Sequence, residues 1–423
     1  MTSFPLANSL AKPNLRLLAA LAAAALLSFL WLLLAPAAEA AKPATTGRAA
    51  VSESRALGAG KAPKKAAPTC APRKTLIARA QISRVARRAT ARASAATCKS
   101  APAPAVSPTT LYWGAWIGSQ HTGTEAPWDM SAVSDFEAET GKPLSLIHFA
   151  SPFADCSTDP CSFYSFPTTP MQSIREHGAI PFFSWSSQST PSSLSEPEFE
   201  LSDVISGRYD SYIRSFAEEA KAWGHPFFLR FDWEMNGNWF PWDEGVNGNS
   251  PGEYVSAWRH VHDIFSEVGA TNATWTWCPN VDPKGEYNDV GAYYPGDSYV
   301  DWTCLDGYNW GGSRWTGFSE LFGPTYHRIT DQVAPSKPMI IGEVGSSENG
   351  GSKAAWISEM LEKLPTEFQK IRGVIWFDKF EEGDWPLETS ASAESAFASG
   401  ISNSSYLPNS FGSLGNGTVP VPG

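Results

Sequence analysis

The sequence predicts a single (β/α)8 barrel, the TIM-barrel fold, preceded by an export or anchor segment and a disordered basic linker. Two observations predict the barrel. From residue 111 onward, short β-branched and aromatic runs alternate with amphipathic helical stretches, and there are eight such runs. Strands that alternate with helices form parallel βα units, and eight units close most naturally into a barrel. A change of charge along the chain predicts the linker.

The eight predicted strands are rich in β-branched and aromatic residues. They are residues 111–118, 144–153, 179–186, 226–234, 274–280, 300–309, 338–345 and 373–380. Between them, residues 207–223 and 252–268 place their large apolar side chains on one face, as amphipathic helices do. An open, doubly wound sheet is the alternative, but no Gly-rich phosphate loop follows the first strand.

Residues 1–40 are predicted to be a signal peptide or a membrane anchor. Lys12 and Arg16 precede an apolar run, residues 17–34, and residues 38–40 match the small-x-small pattern of a signal-peptidase site. The run of 18 residues is long for a signal and just long enough to span a bilayer, so both interpretations stay open. We expect an extracellular protein, either secreted or anchored in the membrane.

Residues 41–108 are predicted to be a disordered linker of Ala, Pro, Lys, Arg and Ser. They carry fourteen Lys or Arg against one acid and have too few large apolar residues to offset chain entropy. Residues 1–108 are therefore either a tether to anionic lipid or cell-wall polymer or a solvated spacer. The whole chain has a net charge of −11, but residues 109–423 alone carry about −25 because residues 1–108 are basic. This negative charge argues against nucleic acid as a ligand.

The barrel is predicted to span residues 109–400, followed by a polar C-terminal tail, residues 401–423. Seventeen of the eighteen Trp lie after residue 108. Aromatic rings cover the apolar faces of sugar rings, although about half of these Trp are expected in the core. This composition favours a neutral carbohydrate ligand.

The six cysteines suit an oxidising compartment and fall into pairs by position, with connectivity a guess. No C-x-x-C occurs, and His260 and His262, two residues apart on a predicted helix, point to different faces, so we expect no metal site and no cofactor. The pairs are Cys70 with Cys98, Cys156 with Cys161, and Cys278 with Cys304.

Two acids end predicted strands. Active sites of such barrels lie at the carboxyl ends of the strands, where Glu234 ends the fourth strand and Glu343 the seventh. These strands face each other, so the carboxylates can converge, and glycosidic cleavage needs such a pair. Aromatic neighbours should raise the pKa of Glu234 by desolvation, which suits an acid. The alternative is that each Glu forms an ion pair at the barrel rim.

Segments around these acids resemble glycoside hydrolase family 26, the β-mannanase family of the retaining (β/α)8 clan. The resemblance covers roughly residues 111–384. Residues 234–242 resemble the acid/base motif of the family and residues 341–345 its nucleophile motif. Further segments resemble family segments in the expected order, namely 277–280, 294–297, 306–309 and 375–377.

The resemblance implies that Glu234 is the acid/base and Glu343 the nucleophile. It implies that Tyr308 hydrogen-bonds the nucleophile and that Trp239 and Trp376 surround the −1 sugar. Core packing is the alternative for these last three residues.

One position departs from the family, which usually has His immediately before its acid/base, where this chain has Trp233. An indole N–H donates a hydrogen bond but cannot titrate or accept one. We predict Trp233, Asn280 and His148 as further substrate-binding residues. A buried packing role is the alternative for His148.

We therefore predict a monomeric retaining endo-β-glycanase that hydrolyses a polysaccharide by double displacement, with β-1,4-mannan first. Mixed-linkage β-1,3-1,4-glucan, β-1,3-xylan and a cell-envelope polysaccharide or exopolysaccharide are alternatives on the same barrel. A non-catalytic glycan-binding protein is the alternative from another class. Endo or exo action depends on loops around the cleft, which sequence patterns do not define.

Overall fold

The computed structural model describes residues 107–423. The predicted signal or anchor, all but the end of the basic linker, and Cys70 and Cys98 lie outside the described residues. Within residues 107–423, no helix has both the length and the apolar character needed to cross a membrane.

Eight strands form a closed parallel barrel, as predicted. In chain order the strands of the described part are β1 (Tyr112–Ile117), β2 (Leu146–Asp155), β3 (Ser162–Phe163), β4 (Ile180–Thr190), β5 (Phe227–Phe231), β6 (Ala273–Trp277), β7 (Trp302–Asn309), β8 (Met339–Ser346) and β9 (Ile371–Asp378). The order β1-β9-β8-β7-β6-β5-β4-β2 is closed by pairing of β1 with β2. The short β3 pairs antiparallel with the end of β2 and lies outside the ring.

Helices follow the strands and cover the outside of the barrel, except that only a short 3-10 helix, Val290–Tyr293, lies between β6 and β7. They are α1 (Met130–Thr140), α2 (Thr168–His177), α3 (Leu201–Ile205), α4 (Asp210–Trp223), α5 (Glu253–Val268), α6 (Phe318–Arg328), α7 (Lys353–Lys363) and α8 (Ala391–Ile401). The two helices that apolar periodicity predicted are α4 and α5, and both predictions are confirmed to within three residues at each end.

Helix α4 illustrates how the sequence builds this outer layer. Ile213, Phe216 and Ala220 recur at helical spacing and are all buried. The helix ends where Gly224 adopts φ 75°, a left-handed conformation that costs glycine little. The ring of Phe216 stacks on Trp185 of β4 with 4.2 Å between centroids. Burial of one such ring stabilises the fold by about 1.5–3 kcal/mol.

The fourth barrel strand, β5, is shorter than predicted. All five of its residues are buried, but it ends at Phe231, three residues before the predicted end at Glu234. Asp232 and Glu234 adopt φ values of 39° and 57°, which no strand accommodates. Glu234 therefore lies on a turn beyond the strand.

Two of the predicted cysteine pairs are disulfides in the structure. Cys156–Cys161 closes the loop after β2, and Cys278–Cys304 joins β7 to the residue after β6. The segment predicted as a polar tail packs against the barrel instead. Its Tyr406 is fully buried. The backbone N–H of its Val419 donates to the hydroxyl of Thr274 at 2.7 Å. The prediction missed these apolar anchors because they are isolated in a polar sequence.

Candidate active site

The turn after β5 is held by buried hydrogen bonds. The carboxylate of Asp232 accepts from the backbone N–H and the hydroxyl of Ser187, each at 2.7 Å. The backbone N–H of Glu234 donates to the carbonyl of Cys278 at 2.7 Å. Left-handed backbone is costly for a non-glycine residue and persists only where its surroundings enforce it. The turn therefore aims the Glu234 side chain across the barrel mouth.

The Glu234 carboxyl group is almost completely buried and has a donor on each oxygen. Asn280 Nδ2 donates to Oε1 at 2.6 Å, and Trp239 Nε1 donates to Oε2 at 2.8 Å. Burial, followed by the negative charge of Glu343, raises the pKa of Glu234 to about 8, although Arg230 and the two donors oppose the shift. Glu234 is therefore protonated at neutral pH.

Asn280 is held in place by Asn236 in the turn after β5. Asn236 Nδ2 donates to the Asn280 carbonyl at 3.0 Å, and the Asn280 N–H donates to Asn236 Oδ1 at 2.9 Å. The reciprocal pair joins the loops after β5 and β6. It thereby fixes the position of one donor to Glu234.

Glu343 lies within β8 on the opposite side of the barrel. Arg230 Nη1 donates to its Oε1 at 2.6 Å, and the Tyr308 hydroxyl donates to its Oε2 at 2.5 Å. Charge-assisted hydrogen bonds are short and directional, so these two contacts fix the orientation of the Glu343 side chain. The two acids thus differ in environment, because Glu343 faces a guanidinium while Glu234 faces neutral donors.

Arg230 organises the charges below the cleft. Its side chain is fully buried and forms ion pairs with Asp306 and Glu343. Burial lowers the pKa of Arg230, but the charges of Asp306 and Glu343 outweigh burial and raise it overall. The Trp233 ring lies over the guanidinium, with 4.8 Å between the ring centroid and Cζ. Trp233 therefore stabilises this buried cation in addition to lining the cleft.

The two glutamates lie in a cleft of about 530 Å³ at the carboxyl ends of the strands. Oxygen atoms of Glu234, Asp306 and Glu343 lie within 4.8 Å of one another. Aromatic side chains form much of the lining, among them Trp116, Trp239, Tyr308, Trp310, Phe377 and Trp385. Acids that converge among aromatic rings suit chemistry on a sugar, whose C–H faces pack on such rings.

Comparison with known proteins agrees with this geometry. The model of glycosyl hydrolase family 26 matches residues 167–365, which include both glutamates. Endoglucanase H of Acetivibrio thermocellus is 34% identical over 303 residues, which cover 70% of this chain and 31% of that protein. The resemblance to glycosyl hydrolase family 26 is thereby confirmed over residues 167–365.

Other relatives are similar over less of the chain. Mannan endo-1,4-beta-mannosidase A and B of Caldalkalibacillus mannanilyticus is 32% identical over 171 residues, covering 36% of this chain and 29% of that protein. The chain thus spans about a third of each of these two relatives. The modular endo-β-1,4-mannanase of Cellulomonas fimi has the same fold, with a TM-score of 0.56, 19% identity and coverage of 74% and 76%.

Most predicted site residues meet at the cleft. Besides the two glutamates, four of the six predicted substrate-binding residues line it. They are Trp233, Trp239, Asn280 and Tyr308. Three of these four donate hydrogen bonds to the carboxyl group of Glu234 or Glu343, and Trp233 covers Arg230.

The structure does not place His148 and Trp376 at the cleft. His148 lies deep inside because β2 continues to Asp155. It is fully buried, and its Nε2 lies 2.7 Å from Ser184 Oγ. Trp376 faces the outside of the barrel and packs on Phe397 of α8 with 5.6 Å between centroids. Side chains alternate along a strand, so its neighbour Phe377 faces the cleft instead.

Sequence reasoning missed Arg230, Asp306 and Trp385. A charged residue inside a strand that is otherwise apolar was the available signal for Arg230, because buried charges are rare without partners. Asp306 lies in one of the segments that resemble the family. Trp385 lies on a loop with no periodicity, and only its residue type pointed to a sugar site.

Proposed function

We propose that this chain is a retaining endo-β-glycanase in which Glu234 is the acid/base and Glu343 the nucleophile. The observation that carries the proposal is the closeness of the two carboxyl groups, which bring oxygen atoms within 4.8 Å of each other. Retaining glycosidases hold these groups about 5–5.5 Å apart, whereas inverting enzymes leave about 6.5–9.5 Å for a water molecule. The separation favours attack by carboxylate.

The assignment of roles follows from the surroundings of each acid. Glu343, paired with Arg230, is the carboxylate that attacks the anomeric carbon. As that bond forms, the bond to the leaving sugar breaks and Glu234 gives its proton to the leaving oxygen. Glu234, now a carboxylate, then takes a proton from water, which attacks the glycosyl ester and releases Glu343.

Aromatic side chains on both sides of the glutamates support endo action. Trp239 and Tyr287 pack together beside Glu234, with 5.5 Å between their ring centroids. Trp310 and Trp385 pack together on the other side, beside Tyr308, with 5.1 Å between centroids. Rings on both sides provide surfaces for sugars on either side of the cleaved bond.

For the substrate we propose a β-1,4-linked or mixed-linkage β-glucan, with β-1,4-mannan as the second candidate. The relative with the longest match is named an endoglucanase. The mannanase family usually has His where this chain has Trp233. Contacts of that His with the −1 sugar therefore cannot be carried over to this chain. Mannan stays a candidate because other relatives are named mannan endo-1,4-beta-mannosidase.

Reducing-end release by the full chain tests the proposal. The panel is mixed-linkage glucan, carboxymethyl cellulose, mannan and β-1,3-xylan, each with wild type and with Glu343→Gln. We expect activity on glucan that Glu343→Gln abolishes, and NMR of the first product should show the β-anomer. An α-anomer first would overturn the retaining mechanism, and activity on mannan alone would reverse the order of substrates. Binding without turnover on every polymer would favour a glycan-binding protein.

We also propose that the protein acts outside the cytoplasm. The apolar run of residues 17–34 and the disulfides Cys156–Cys161 and Cys278–Cys304 support this location. Fractionation of the producing cells, with detection of the chain in medium, membrane and cytoplasm, tests it. Recovery of the chain from the cytoplasm alone would contradict the proposal.

A further inference from the structure

One wall of the cleft is formed by a loop that ends in a short 3-10 helix, Leu387–Thr389. We call residues 384–389, which follow β9, the wall segment. The segment carries Trp385, whose ring lies 4.9 Å from the Tyr308 ring and 5.1 Å from the Trp310 ring, measured between centroids. Because Tyr308 donates to Glu343, the position of Trp385 bears on the donor to the nucleophile as well as on the cleft.

The wall segment surrounds a buried cation. Lys353, the first residue of α7, has no exposed surface. Its Nζ lies 2.7 Å from the carbonyl of Asp384, 2.9 Å from that of Trp385 and 2.7 Å from that of Pro386. It also lies 2.9 Å from Thr389 Oγ1. One ammonium group thus contacts four residues of the segment.

A second set of contacts holds the same segment. The Leu387 N–H donates to Oδ1 of Asp378, at the end of β9, at 2.9 Å. The Glu348 N–H donates to Oδ2 of Asp384 at 3.0 Å. Lys353 therefore binds backbone carbonyls of the segment. The Leu387 N–H and the Asp384 carboxylate are bound by Asp378 and by the Glu348 N–H.

The burial of Lys353 is expensive enough to require an explanation. An ammonium loses its hydration on burial, and carbonyl oxygens must replace the water. Trp376 Nε1 also donates to the Trp385 carbonyl at 3.2 Å, and the Thr389 hydroxyl donates to the Pro386 carbonyl at 2.8 Å. An apolar side chain at position 353 would therefore remove one donor from each of these carbonyls and leave the Asp384 carbonyl without its Lys353 donor, and a buried group left without a partner costs about 1–3 kcal/mol. A loop at the surface needs no internal cation, whereas a loop that presents an aromatic wall needs fixed geometry.

We propose that Lys353 is a positioning residue that fixes Trp385 as a wall of the cleft and, through Trp385, holds Tyr308 against the nucleophile. The proposal rests on the proposed function for its effect on catalysis. Its structural part, fixation of the wall segment by Lys353, does not.

The first test is amide hydrogen exchange of the full chain, comparing wild type with Lys353→Met. Lys142→Met is the matched control, because Lys142 Nζ also donates to two backbone carbonyls, those of Ile401 and Asn403, at 2.8 and 3.0 Å. Lys142 precedes β2 and so lies at the end of the barrel opposite the cleft. We expect at least 10-fold faster exchange of the Leu387 amide in Lys353→Met alone. Unchanged exchange there would overturn the proposal.

The second test is a double-mutant cycle on glycan hydrolysis. We expect Lys353→Met to lower kcat/KM by about 10- to 100-fold, as a displaced cleft wall does, and Lys142→Met to leave it unchanged. If Lys353 acts through Trp385, the variant carrying both Lys353→Met and Trp385→Ala is no less active than Trp385→Ala alone. Multiplied losses in the double variant would overturn the route through Trp385.

These two tests also separate the inference from the proposed function. If wild type hydrolyses none of the polymers, the proposed function fails, and exchange of the Leu387 amide still decides whether Lys353 fixes the wall segment. Should Lys353→Met not fold, Thr389→Val, which removes one of the four oxygen contacts, gives the same comparison. A smaller increase in exchange at the wall segment supports the inference, and no increase overturns it.

Discussion

Trp239 donates its indole N–H to Oε2 of Glu234 at 2.8 Å, and the same residue forms part of the cleft wall. The Trp239 side chain therefore both lines the cleft and contacts Glu234. The bond favours the carboxylate form of Glu234, so it lowers a pKa that burial raises to about 8. Trp239 thus adjusts the acid without supplying a charge.

The first prediction concerns the alkaline limb of the pH profile. Glu234 must be protonated to act as the acid, so kcat/KM of wild type should fall as pH rises through about 8. Trp239→Phe removes a donor to the carboxylate and should move this limb to higher pH. The measurement is kcat/KM against pH. Trp310→Phe is the control, because Trp310 lines the cleft without bonding Glu234, and a limb that stays in place in Trp239→Phe contradicts the prediction.

The second prediction concerns stability. Between the ordinary pKa of 4.5 and the folded value of about 8, the folded protein holds a proton on Glu234 that the unfolded chain has lost. Stability from this group therefore falls as pH rises across that range. Glu234→Gln removes the loss, so its Tm should exceed that of wild type by a few degrees at pH 8 and by less at pH 5. Calorimetry at both pH values measures this, and an equal difference at both would count against it.

The third prediction concerns the donor to Glu343. Tyr308→Phe removes a hydrogen bond to a charged group, which contributes about 1.5–3 kcal/mol, so kcat should fall by about 10- to 100-fold. Tyr294→Phe is a matched control, because Tyr294 donates to Asp297 at 2.8 Å on the exposed surface. Steady-state kinetics of both variants, with unfolding curves, provide the comparison. Equal losses in the two variants would show that the effect is not specific to the nucleophile.

Much of this fold could be predicted because the strands and the helices each show a clear pattern of apolar residues in the sequence. Strand β5 is buried along its whole length, and its sequence is apolar except for Arg230. Helix α5 places Trp258, Val261 and Phe265 on one buried face, which the 3.6-residue period reveals. Packing reinforces local preference in these elements, and their predicted ends differ from the structure by only a few residues.

The site was less predictable where strand register or a turn determines which side chain faces the cleft. Trp376 and Phe377 differ by one position and face opposite sides of β9. The family resemblance pointed to Trp376, whereas Phe377 is the ring that lines the cleft. The turn with positive φ at Asp232 and Glu234 is held by contacts of Asp232 with Ser187 and of Glu234 with Cys278, which are distant in sequence. Lys is a residue type common on the exposed faces of helices, and only the fold shows that carbonyls surround Lys353.

The last prediction concerns the space behind the nucleophile. A Cβ on Gly342, the residue before Glu343, would lie 2.7 Å from Cys304 Sγ and 2.9 Å from Asp306 Oδ1. The sulfur belongs to a buried disulfide and the carboxylate to the Arg230 ion pair, so neither atom can move freely. Gly342→Ala should therefore shift β8, cost about 1–3 kcal/mol of stability and lower kcat by about 10- to 100-fold.

Urea unfolding and steady-state kinetics of Gly342→Ala measure both effects. Gly317→Ala is the matched control, because a Cβ there meets only the flexible carboxylate of Glu359 at 3.7 Å. Its stability should stay within about 0.5 kcal/mol of wild type and its kcat unchanged. If Gly342→Ala is as stable and active as wild type, the packing of Gly342 against the disulfide and Asp306 does not control the nucleophile. If it loses activity without losing stability, the strain falls on Glu343 itself, because the rest of β8 has then accommodated the extra methyl group.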